Sequence, residues 1–96
     1  MTVLDELTPH YAEILDMMPD EFDSHHFILT LAHNYQPEYV RALCECQHVK
    51  DRAPFREVHK QISQSLRDYA EYVRGDYPSE DIFRIKQLNA LWRKRK

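Results

Sequence analysis

Three observations predict an all-α fold for this chain, a compact bundle of four to five short helices with no sheet. Gly75 is the single glycine, so turns needing positive φ are scarce, as are the Asn-Gly or Asp-Gly pairs that mark hairpins. No run of β-branched residues alternates with polar ones. Pro9, Pro37 and Pro54 each precede a segment with helical spacing, where a proline at the first helical position forfeits no needed hydrogen bond.

In the first segment Val3, Leu4, Leu7, Tyr11, Ile14, Leu15 and Met18 fall on one face. The stripe stays in register across Thr8-Pro9, so either one helix kinks there or Thr8 caps a new one. A second helix is expected from Asp23 or Ser24 to about Asn34, with Phe22 stapling its first turn. Phe27, Ile28, Leu29, Leu31, Ala32 and Tyr35 cover most of its circumference and mark it as the central helix. Pro37 opens a third helix from Glu38 to His48. Pro54 opens a fourth, carrying Phe55, Val58, Ile62, Leu66, Tyr69, Ala70 and Val73, that Gly75 closes as the left-handed residue after its last turn. Ser79 caps a last helix with Ile82, Ile85, Leu88 and Trp92 on one side, and Arg93-Lys94-Arg95-Lys96 follows.

With 96 residues, 43% of them hydrophobic, the chain buries one core. The expected organisation is one helical domain over 1–92 and a basic tail over 93–96. The amino terminus has no basic stretch leading into an apolar run, and no apolar segment approaches the ~20 residues that cross a bilayer. Two cysteines make no disulfide framework, so a reducing cytoplasmic location is expected. Charge is unevenly spread. Met1 to Cys46 holds nine acidic residues and one basic, a formal −8, whereas Gln47 to Lys96 holds twelve basic and seven acidic, a formal +5. Such asymmetry fits either a polyanionic partner for the basic half or mutual attraction of the halves.

The stretch Cys44-Glu45-Cys46-Gln47-His48 raises the question of a metal. On the third helix, however, Cys46 points inward with Tyr39 and Leu43, and Cys44 points ~160° away. Tetrahedral zinc needs four convergent ligands, so neither a metal nor a cofactor is expected, although Cys44 and His48 at i and i+4 would supply two ligands to an ion completed from elsewhere. His25, His26 and His33 raise the same question on the second helix, but its narrow polar strip, His26, Thr30 and His33, reads as a solvated face, and His59 reads as a hydrogen-bonded histidine at the core edge. Phosphate-cradling loops need glycine, and no serine sits on a strained turn. Binding rather than catalysis is the expectation.

Two features point to what is bound. On the fourth helix Arg56, Lys60, Arg67 and Arg74 share a narrow strip beside Gln64. With Arg93, Lys94, Arg95 and Lys96 they form the candidate contact to nucleic acid. On the last helix Phe83, Leu91 and Trp92 leave apolar residues all round, the mark of a helix with two contacts. The first expectation is therefore a protein-interaction module that self-associates, as a homodimer, through its last helix. Nucleic-acid binding by the basic strip and tail is the alternative. The link Asn34-Tyr35-Gln36-Pro37 resembles the turn of a helix-turn-helix. That turn lacks glycine, and the helix after it exposes Arg41, Cys44, Glu45 and His48, not a set for reading bases, so the fourth helix and the tail remain the nucleic-acid candidates.

Overall fold

The computed structural model describes residues 4–47 and 53–95. It is an α+β fold, not an all-α bundle: the helices pack on a three-stranded antiparallel sheet. The order is α1 (Tyr11–Met17), β1 (Glu21–Asp23), α2 (Ser24–Asn34), α3 (Gln36–Glu45), α4 (Pro54–Ser65), β2 (Ala70–Glu80) and β3 (Lys86–Lys94). Short 3-10 turns precede α1 at Thr8–His10 and follow α4 at Leu66–Asp68. The strands lie in the order β1-β3-β2, so the last strand to be made is the central one.

The first half of the chain follows its helical spacing. Pro9 sits in the 3-10 turn that leads into α1, which divides the stripe without breaking it, and Leu4, Leu7, Tyr11, Ile14 and Met18 are all buried. Asp23 is the N-cap of α2, its carboxylate accepting from the His26 backbone N–H. Phe27, Ile28 and Leu31 form the inner face of that helix. α3 begins at Gln36, two residues before the expected start, because Pro37 is accommodated within the first turn. It ends at Glu45, and His48 lies outside the described residues.

The second half overturns the helical expectation. α4 stops at Ser65, where the Ser65 hydroxyl donates back to the Ile62 carbonyl and also pairs with the Tyr11 hydroxyl at 2.8 Å. A side chain that competes for the helix's own carbonyls favours its end. After the 3-10 turn and Tyr69 the chain becomes a strand at Ala70, where Tyr72 and Val73 suit a pleated surface. Gly75 therefore closes no helix, and its φ is not positive. It lies in β2, where a Cβ would come 2.5 Å from the Tyr72 hydroxyl. Register breaks on both sides of Arg74, together with Pro78, interrupt the free edge of β2 and blunt it against pairing with another chain.

The expected last helix is a hairpin and a strand. Asp81 makes the turn without glycine: its Oδ1 accepts from the backbone N–H of Phe83 (2.8 Å) and Ile85 (3.0 Å), and its carbonyl from that of Arg84 (2.9 Å). Arg84 takes the left-handed position of this three-residue loop, at φ 64°. In β3 Trp92 sits between Phe22 and Tyr72 in the register and is buried at 1% exposure. Assigning Trp92 to self-association is thereby corrected, since the indole is core and its N–H bonds Ser24. Arg93 and Lys94, expected in a tail, are the last residues of β3. Among the described residues, no helix is long and apolar enough to cross a membrane.

Candidate nucleic-acid interface

α4 is positioned by Val58, Ile62 and Leu66, which lie one turn apart and are completely buried. Burial of that stripe turns Arg56, Lys60 and Gln64, also one turn apart, outward along the opposite side. These three residues form one wall of a groove of about 500 Å³. The β2–β3 hairpin is the other wall, through Phe83, Gln87 and Leu88, and the start of α2 is the floor, through Ser24, His25 and Ile28. At one end Phe55 and Phe83 meet edge to face with centroids 4.9 Å apart.

Hydrogen bonds spanning distant sequence hold the walls in place. Ser24 Oγ lies 2.7 Å from Ser63 Oγ and accepts from Trp92 Nε1 at 2.8 Å. Asn89 accepts from the His25 backbone N–H and donates to the Tyr77 carbonyl and to Ser79 Oγ, which also lies 2.6 Å from His25 Nδ1. The polar groups of the floor are thus taken up in joining α2, α4 and the hairpin. The amides of Gln64 and Gln87 at the rim are not: among the described residues Gln64 has no side-chain partner, and Gln87 only a long contact of 3.4 Å to Asp81 Oδ2.

Arg56 and Lys60 are the cations of the groove, and Asp81 is its carboxylate. Lys60 lies 3.5 Å from Glu57, one turn back, an exposed pairing that costs little to exchange. Asp81 is committed to the hairpin turn. His59 adds no charge at neutral pH. Burial pushes its imidazole down to about 4, with Asp81 pulling weakly the other way, and its Nε2 lies 2.6 Å from the Tyr39 hydroxyl, itself pushed up to about 12 by burial.

The other sequence candidates spread over several faces. Arg67, expected on the same helix as Arg56 and Lys60, is exposed in the 3-10 turn after α4, and its backbone carbonyl accepts from the Arg95 guanidinium at 2.9 Å. Arg74 is on β2, 3.6 Å from Asp76 and over the Tyr77 ring. Arg93 is held by Glu21 at 2.7 Å on the outer face of the sheet. Lys94 pairs in the ladder opposite Ala70, and Lys96 lies outside the described residues. Of the apolar candidates, Phe83 is half exposed at the groove rim and Leu91 is half-buried in β3.

Arg84 and Lys86 at the end of the hairpin escaped the sequence reading because no local pattern announced the strand pairing that forms it. Both are exposed, and neither forms an ion pair among the described residues. Among the described residues no three His, Cys, Asp or Glu side chains converge, Cys46 is buried and Cys44 is exposed. The chain matches no protein-family model, and neither the curated proteins nor the solved structures hold a match to it.

Proposed function

We propose that this protein binds nucleic acid through the exposed side of α4 and the adjoining β2–β3 hairpin. The observation that carries this is the alignment of Arg56, Lys60 and Gln64 along one wall of a groove whose other wall is a β-ribbon tipped by Arg84 and Lys86. Cations on both the helix and the ribbon supply the phosphate contacts. The test is the salt dependence of binding to a mixed-sequence oligonucleotide. Four to six phosphate contacts give a log-log slope of roughly −3 to −5, at about 0.7 to 0.9 per contact. A slope near zero, or no binding at low salt, rejects the proposal.

A second reading, interaction with protein or self, has its own support now that the last helix is gone. Phe83, Ile85 and Leu88 expose 51%, 55% and 67% of their surface on one hairpin, a cluster that suits an apolar contact. Light scattering of the full chain and of a Phe83→Glu, Leu88→Glu variant tests it. A concentration-dependent dimer lost in the variant is the supporting outcome, and a monomer at high micromolar concentration rejects it.

A further inference from the structure

The groove between α4 and the hairpin has chemistry that a stacked duplex cannot use. Phe55 and Phe83 stand at its end, 41% and 51% exposed, with Leu88 beside them. Aromatic faces attract bases only when a base is free to leave its stack. Gln64 on α4 and Gln87 on the hairpin bring two amides to the same groove, and an amide offers the donor and acceptor that a base edge requires. Arg56 and Lys60 lie one turn apart on the wall beside Gln64, placed for the phosphate of the same nucleotide. A volume of about 500 Å³ falls within the range of pockets that take small ring compounds.

Building on the nucleic-acid reading above, we propose that the ligand class is single-stranded nucleic acid. One unpaired base enters the groove against Phe83 and beside the Gln87 amide, its phosphate is held by Arg56 and Lys60, and the Gln64 amide, further along the same wall, meets the next base. Charge complementarity selects a polyanion, and the aromatic rim selects one whose bases are unstacked. The groove floor stays occupied by its own hydrogen bonds, so recognition is by stacking and by the two rim amides.

Fluorescence anisotropy with a labelled twelve-nucleotide mixed-sequence DNA strand, and with the same strand annealed to its complement, tests this on the full chain at low salt. The single strand is expected to bind about tenfold tighter than the duplex. Phe83→Ala and Phe83→Leu are each expected to weaken single-strand binding about tenfold, Leu as much as Ala because it keeps the apolar bulk without the ring, and Phe83→Trp to restore it. The ratio of single-strand to duplex affinity is expected to fall in the Ala and Leu variants and to recover in the Trp variant. Equal or tighter duplex binding overturns the inference and leaves nucleic-acid binding standing, as does single-strand affinity indifferent to Phe83→Leu. Failure of both forms to bind overturns the inference and the underlying reading together.

Discussion

Trp92 Nε1 donates to Ser24 Oγ at 2.8 Å inside the core, joining two residues 68 positions apart. Ser24 Oγ is also 2.7 Å from Ser63 Oγ. One buried hydroxyl therefore ties the last strand, the start of α2 and the last turn of α4, the three elements that shape the groove. Trp92 is the largest of the fully buried side chains, and Ser24 is the buried polar residue that lets its N–H be there at all.

Ser24→Ala is accordingly expected to destabilise the fold by about 1–3 kcal/mol, because it strands the indole N–H away from water. Ser63→Ala is expected to cost less, since Ser24 then still accepts from Trp92. Urea denaturation of the three proteins measures both. A Ser24→Ala loss within about 0.5 kcal/mol of zero contradicts the assignment.

His59 makes stability depend on pH in a definite direction. Its folded-state value, about 4, lies below the ordinary 6.5. Above pH 6.5 neither the folded nor the unfolded imidazole carries a proton, and the contribution is complete. As pH falls from 6.5 towards 4 the unfolded chain takes up a proton that the folded chain resists, so stability is lost across that window. His59→Gln, which keeps a hydrogen-bonding group near Tyr39, is expected to flatten that part of the stability curve relative to the parent. Parallel pH profiles for the two proteins contradict it.

At the hairpin tip, Arg84 occupies a left-handed backbone position that glycine fills without strain. Arg84→Gly is expected to stabilise the protein by about 1 kcal/mol in thermal or urea unfolding. Under the proposed function the same change is expected to weaken nucleic-acid binding several-fold, so stability and affinity should move in opposite directions. Loss of both points to a purely structural arginine.

How much of this was legible differs between the two halves of the chain. Asp23 capping α2, Pro37 within the first turn of α3 and Pro54 opening α4 were readable because caps and prolines act on their own few residues. So were the inward Val58 and Ile62, and the outward Arg56 and Lys60, which follow from helical period alone.

The sheet was not legible. Ile82, Ile85, Leu88 and Trp92 recur at helical spacing by coincidence: Trp92 is buried in the sheet while Ile85 and Leu88 are exposed on the hairpin. The stripe Ile62, Leu66, Ala70 satisfies a helix and equally a helix that hands over to a strand. The one local clue was Asp81, whose carboxylate organises the turn that glycine was expected to mark. For the site, the α4 strip was legible and the groove was not. Phe83, Gln87 and His25 reach it from segments whose meeting depends on the Trp92–Ser24 and Asn89–His25 bonds, and such long-range pairings leave no trace in local periodicity.

The most direct test of the central claim compares two charge reversals on the same molecule. Arg56→Glu with Lys60→Glu reverses the cations of the groove wall. Arg93→Glu reverses one that Glu21 already holds on the outer face of the sheet, and the two variants are compared with the parent for binding to single-stranded and duplex oligonucleotides at low salt. The groove variant is expected to lose at least about tenfold in affinity, while Arg93→Glu stays within about twofold. Losses in proportion to the charge reversed, with the single reversal costing about half as much on a logarithmic scale as the double one, would mean that binding follows net charge alone, and unchanged binding in the groove variant would contradict α4 as the contact surface.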